Sequence, residues 1–337
     1  MTKDPAAIAA TLTTLDDLAQ VSRWLDGGDV RFAVDLGLEL WRRHGDDQVP
    51  PWQFGSLFDG ILRRLALRPG PVTETAAFFS TVARGRRARY VASLLATEHS
   101  ASELRALAGN AELSACLSQE LPLRAYVPGR MWARPPHPLA WLSLRLTSME
   151  QWPNMPRHDL RGTGTVHSRV VATPIPAGGP LPSWREEADT GDIAAAVSNW
   201  CTASNGRAAT RVVVFDQPVT PAALPGIEGL TGTEGFGVCS LADAWHQLFE
   251  AASLGGAYSR GEFGAYGRLA AWRSVAALTG APRDATFREV VALAEAGTWI
   301  WFGGATDWFA GDGWDLGVAV LSADGRRLAV LAATDTD

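Results

Sequence analysis

The chain has 337 residues, of which 47% are hydrophobic and 20% charged, enough apolar material for a sizeable core and a length that suits about two domains. Its net charge of −6 and its pI near 5.6 exclude a general electrostatic attraction to phosphate backbones or anionic lipid, because both sides would carry the same sign. Twenty-nine of its 30 basic residues are arginine, a bias that a GC-rich genome explains without any phosphate or carboxylate recognition.

Cys116, Cys201 and Cys239 are scattered and odd in number, so no disulfide framework is expected. The first 15 residues lack a basic segment followed by an apolar one, and no run approaches the roughly 18 apolar residues of a spanning helix. A cytoplasmic protein with no membrane partner is the expectation.

The first third of the chain reads as helices. Thr14 and Asp17 have capping-box spacing and open a helix from Leu15 to about Asp26, stopped by Gly27 and Gly28. A second helix, Val30 to His44, carries apolar residues on more than one face and reads as an inner helix. In a third, Phe54, Leu57, Phe58, Ile61, Leu62 and Leu65 form one stripe, with Ser56, Asp59, Arg63 and Arg64 expected outside. Further helices are expected at about 72–83, 87–96 and 101–107, and after Asn110 through Glu120. Short helices with short polar breaks suggest stacked helical hairpins, although no pattern recurs at a fixed period.

The composition changes after Leu121. Pro128, Pro135, Pro136 and Pro138 form an entry linker, dividing a helical domain at 1–125 from an α+β domain at 126–337. Strands are expected at 139–146, 166–173 and 211–215, with a helix at 193–200 between the last two. Ser240 and Asp243 cap a helix, the glycine-rich segment 255–267 feeds another from about Tyr266 to Leu278, and a third spans 287–296. Strands at 299–302, 316–322 and 327–333 close the chain. The last two strands join across Asp324-Gly325, which suits the positive φ values of a tight hairpin turn, and the apolar residues on both faces of these strands place this hairpin inside a mixed or antiparallel sheet.

The segments GGAYSRGEFGAYGRLAAWRSVAAL, WFGGATDWF, WDLGVAVL and LAVLAATDTD, all within 251–337, resemble an uncharacterised family from GC-rich bacteria. The resemblance implies a fold more than a function, and brings no activity or cofactor with it.

Three clusters are candidate sites. In the first, Tyr258, Arg260, Glu262, Tyr266, Arg268, Trp272 and Arg273 surround glycines 261, 264 and 267 ahead of a helix start. Free amides and the helix dipole there would favour a phosphate or carboxylate, with Arg268 or Arg273 as a bidentate clamp. The plainer reading, which takes precedence, is a tight turn in which Arg268 and Trp272 stack as a packing pair.

The second cluster is Asp307, Trp308, Asp312, Trp314 and Asp315, carboxylates beside indoles that suit a sugar or a cation. Against it, indoles are also favoured core residues. In the third, Asp335 and Asp337 of the tail, with Asp315, could hold a hard cation such as Mg²⁺, although a solvated chain end is the simpler expectation. No histidine pair has metal-ligand spacing, no nucleophile motif appears and no nucleotide fingerprint is complete, so neither a metal nor a cofactor is expected. The run Arg84, Arg86, Arg87, Arg89 reads as a solvated face, and no nucleic acid is expected.

The absence of catalytic motifs points to a non-catalytic protein that binds a small polar or anionic ligand or a protein partner. The alternative is a cofactor-independent enzyme on such a molecule, with Glu262 and Tyr258 as catalytic groups, Arg268 and Arg273 as anion clamps, and Trp308 and Trp314 as walls.

Overall fold

A computed structural model describes residues 3–336 apart from 13, 46, 48–50, 130, 177, 189–191, 227–233, 304–307 and 310–313. The chain forms two compact units: Met1–Pro138 with Arg157–Gly164, and Leu139–Pro156 with Thr165–Asp337. The helical unit therefore runs beyond residue 125 and takes back eight residues from the middle of the chain.

The first unit holds α1 (Pro5–Thr11), α2 (Leu15–Asp26), α3 (Val30–His44), α4 (Trp52–Ala66), α5 (Ala76–Val82), α6 (Arg86–Glu98) and α7 (Ala111–Leu123). Residues 103–107, expected as a helix, form a 3₁₀ turn, and 72–74 form another ahead of α5. The capping box of α2 is reciprocal: Asp17 N–H donates to Thr14 Oγ1 and Thr14 N–H to Asp17 Oδ2, both at 3.1 Å.

α3 is the inner helix, packed on α1, α4 and α5, and a Cβ at Gly37 would come within 2.7 Å of the Phe78 ring. On α4 all six stripe residues are buried, each contributing about 1.5–3 kcal/mol of hydrophobic free energy. Arg63, expected outside, is buried instead. It is covered by β1 (Arg157–His158) and β2 (Thr163–Gly164), a small antiparallel hairpin. α7 is buried from Leu113 to Leu123, and its Glu120 is neutralised by Arg124 one turn on, at 2.6 Å.

The second unit is built on β3 (Thr173–Pro174), β4 (Trp184–Glu187), β5 (Arg207–Phe215), β6 (Glu234–Val238), β7 (Thr298–Gly303), β8 (Asp315–Leu321) and β9 (Arg327–Thr334). They form one antiparallel sheet in the order β3-β6-β7-β8-β9-β5-β4. Its helices are α8 (Ser198–Ala203), α9 (Leu241–Leu254), α10 (Phe263–Thr279) and α11 (Phe287–Ala296). The fold class is α+β.

Alternation along the strands divides the sheet into two buried faces. Ile300, Phe302, Ala319, Leu321, Leu328 and Val330 pack with Val219, Leu224 and Phe309 on one face. Their neighbours Leu316, Val318, Val320 and Leu331 belong to the other, where α9 and α10 lie across β7, β8 and β9. Double coverage explains the unbroken apolar runs of β8 and β9, and both strands lie inside the sheet as expected.

Three sequence expectations are corrected. Residues 139–146 form no strand, because the carbonyls of Ser143 and Arg145 accept from the Arg268 guanidinium instead of a ladder. Of 166–173 only Thr173 enters the sheet, since the backbone of Ser168 is engaged by the side chains of Glu250 and Gln247. The β8–β9 connection is a five-residue loop, Ser322–Arg326, in which Gly325 is left-handed, at φ +68°, and Asp324 is not.

Candidate functional site

The glycine-rich segment turns sharply between α9 and α10. Gly255 adopts φ +90°, and a Cβ at Gly261 would overlap the Ser253 carbonyl, so these glycines serve the turn. The turn delivers α10 with Arg268 and Trp272 on its inner face, both fully buried.

Arg268 and Trp272 converge on a third residue that the sequence did not reveal, Glu150. Arg268 Nε donates to Glu150 Oε1 at 2.6 Å and Nη2 to Oε2 at 2.9 Å, while Trp272 Nε1 donates to Oε1 at 2.7 Å. Oε2 also accepts from Thr147 N–H at 2.7 Å. Two charges taken wholly out of water must be paired and hydrogen-bonded to persist, and here both oxygens of the carboxylate are occupied. Arg268 and Trp272 are thus withdrawn from any ligand, because an internal carboxylate already fills the clamp.

The amides of the same turn are also engaged. Ala257 N–H donates to Asp335 Oδ2 at 2.8 Å, and a Cβ at Gly256 would collide with that oxygen. Asp335 is 1% exposed, which corrects the expectation of a solvated tail. The carboxylate that the glycine-rich turn attracts comes from the chain itself.

The remaining residues of the first cluster differ in exposure from Arg268. Tyr258 is 64% exposed, Arg260 and Arg273 are exposed, and Glu262 and Tyr266 are half-buried at the start of α10. In the second cluster Asp307 and Asp312 lie outside the described residues, as does Asp337 of the tail. Trp308 is half-buried against the sheet core, with the Arg207 guanidinium 4.4 Å from its ring centroid. Half-buried Trp314 accepts from Asp335 N–H through its carbonyl, and Asp315 accepts from Thr334 Oγ1 at 2.6 Å. Among the described residues no three His, Cys, Asp or Glu side chains form a group that could hold a metal ion. Nor is any helix there long and apolar enough to cross a membrane.

In the basic run, Arg87 is not a solvated charge. Its guanidinium lies 4.4 Å from the Trp41 centroid and 5.4 Å from that of Phe58, and burial lowers its pKa. A groove of about 350 Å³ in the helical unit is floored by Leu25, Val30 and Leu65 and edged by Asp29 and Arg68. In the second unit a depression of about 520 Å³ is lined by Pro282, Asp284, Glu289 and Leu293, and by none of the residues expected at the site.

Sequence reasoning missed two further polar centres. Glu250, buried on α9, accepts from Asn154 Nδ2 at 3.0 Å, from Ser168 N–H at 2.8 Å and from Ser168 Oγ at 2.5 Å. In the helical unit, His158 inserts against Ser93, with Nε2 and Oγ 2.9 Å apart, and is held well below its ordinary pKa, to about 3, by burial and then by Arg124 and Arg63. Neither carries a spacing signal, since their partners lie far away in sequence.

Trp152 was also missed. It is 84% exposed and sits at φ +58°, a left-handed conformation that a bulky side chain rarely adopts. Its neighbours are fixed: Glu150 is clamped by Arg268, Gln151 Nε2 donates to Thr147 O at 3.0 Å, and Pro153 is buried. The one available signal was an indole directly before a proline, in a segment without helical or strand periodicity.

A helical unit and a helix-backed antiparallel sheet, with Arg268 and the Ala257 amide bonded to internal carboxylates, define a two-unit α+β protein. The model of DUF6183, a family of unknown function, matches residues 16–337, and the chain belongs to that family. No curated protein and no solved structure matches the chain.

Proposed function

We propose that this is a non-catalytic protein of the bacterial cytoplasm that works by contacting a protein partner through the surface around Trp152. The observation that carries the reading is an indole displayed to solvent at a strained backbone position whose two flanks are immobilised. Strain of this kind costs on the order of 1–3 kcal/mol and persists where the surroundings enforce it. Tryptophan is among the residues that dominate binding energy at protein interfaces, and a pre-positioned one loses little entropy on binding.

Two observations favour this over chemistry on a small anion. The buried arginine of the glycine-rich segment is committed to Glu150, and the amide of Ala257 to Asp335. The free state of the three cysteines, two of them buried, suits a reducing compartment.

The test is a photo-crosslinking amino acid placed at position 152 and, as a control, at Leu15, which is also exposed. In the bacterium that makes the protein, position 152 is expected to yield a discrete heavier product that Leu15 does not. Equal labelling at both positions, or purified protein that turns over a small metabolite, overturns the reading.

A further inference from the structure

We infer that the helical unit carries a recognition site for a short turn-forming peptide, filled in cis by residues 157–164, and that the same site accepts this segment from a second copy of the chain. The inference stands apart from the Trp152 surface. Its starting point is chain topology: residues 157–164 pack within the helical unit, while the chain on both sides of them, 139–156 and 165–337, packs within the other.

The site reads the segment in two ways. Arg63, oriented by Asp59 at 2.9 Å, clamps its backbone: Nη1 donates to the carbonyls of Asp159 at 3.0 Å and Gly162 at 2.5 Å, and Nη2 donates to Thr163 Oγ1 at 2.9 Å. A second slot takes His158, 8% exposed, with Nε2 against Ser93 Oγ at 2.9 Å, Nδ1 against Thr163 Oγ1 at 3.0 Å, and its ring edge-on to Tyr90. Arg124 donates to the same Ser93 hydroxyl at 3.2 Å.

The segment is shaped for such capture. Asp159 Oδ1 accepts from the amides of Arg161 and Gly162, both at 2.7 Å, closing an Asx turn that needs no help from the helical unit. Preorganisation of this kind lowers the cost of binding. Arg157 and Arg161 are exposed, Leu160 borders the groove of Leu25, Val30 and Leu65, and His158, the turn and Thr163 are the features that Arg63 and Ser93 read.

The base of the excursion is closed separately, because Asn154 and Ser168 both bond to Glu250 in the second unit. Undocking therefore breaks the Arg63 and His158 contacts and leaves the Glu250 bonds in place. An identical segment from another copy restores the same bonds, and reciprocal exchange gives a closed two-fold dimer.

The experiment uses the full chain with H158A and T163A together, which removes the cis occupant's recognised side chains, and a fluorescein-labelled peptide spanning Met155–Val166 followed by anisotropy. Saturable binding is expected, at least about tenfold weaker when R63A is added. Light scattering of the wild-type chain at rising concentration is expected to show a dimer that H158A/T163A abolishes. Should that variant lose its helical circular dichroism, H158Q takes its place with the same expectations. No peptide binding to a folded variant, or a wild-type chain that stays monomeric throughout, overturns the inference and leaves the Trp152 reading untouched.

Discussion

Glu150 and Arg268, 118 residues apart in the chain, meet in two parallel charge-assisted hydrogen bonds with no water access to either side chain. Their pairing fixes the segment before Trp152 to the inner face of α10. Breaking such a pair from one side is far costlier than replacing both members, because one side leaves a buried charge alone. E150A is therefore expected to lose about 3–5 kcal/mol of stability in urea denaturation, whereas E150L/R268M recovers most of that loss. A loss in E150A no larger than in the double variant would contradict a buried ion pair.

Docking of the 157–164 hairpin should depend on pH. The docked imidazole of His158 titrates at about 3, whereas a released one returns to its ordinary 6.5, so the released form binds the proton more tightly. Docking stability is full above pH 6.5, declines as pH falls below it and reaches its floor near pH 3, on the order of a few kcal/mol lower. Hydrogen exchange of the Thr163 amide, corrected for intrinsic rate, should accelerate across that window in the wild type, whereas in H158Q it should be fast at every pH and show no such window.

Gly256 is held against Asp335. In G256A the new methyl group would push into Oδ2, and overpacking of this kind typically costs about 1–3 kcal/mol. D335A should also destabilise, by leaving the Ala257 amide without its acceptor. Combined with G256A, however, it should cost less than the sum of the two, because the clash disappears. Thermal denaturation of the four proteins decides, and strict additivity would show that the two residues do not touch.

For Trp152 a gain is expected where mutations usually cost. A left-handed backbone costs an L-residue about 1–2 kcal/mol, and glycine gives back about 0.5–1 through the unfolded chain. W152G should thus equal or exceed the wild type in stability by up to about 1 kcal/mol while no longer retaining, in a pull-down, the partner identified by crosslinking. Clear destabilisation would mean that the indole is packed.

The thiols should differ sharply. Cys239 is pushed up to about 12, by burial first and then by Asp243, and Cys116 is raised well above its ordinary value by burial and then by Glu112 and Glu120. Cys201 is exposed and raised more modestly, by partial burial and then by Asp335. Ellman's reagent at neutral pH should label Cys201 alone in the native protein, slowly, and C201S should abolish the signal.

Local rules made the helices readable. The Thr14–Asp17 box, the α4 stripe and the Ser240 cap each lie within one or two turns, where spacing alone carries the information. The same rules misplaced Arg63, since what covers it comes from about a hundred residues away. They also gave strands at 139–146 and 166–173, where β-compatible side chains are present but long-range side-chain bonds hold the backbone instead. The glycine-rich turn was legible as a turn. That its cation and its amide would meet Glu150 and Asp335 was not, because partners so distant leave no periodicity to find.

The position of β9 between β8 and β5 bears on biosynthesis. Until residues 327–334 have left the ribosome, β5 lacks the neighbour that pairs with it from Arg207 to Val214, and β8 presents an open apolar margin. The nascent sheet thus waits in two pieces, each with a sticky border, and closes by inserting a late strand. Chaperone demand and inclusion-body formation during overexpression should track the lifetime of that unfinished seam.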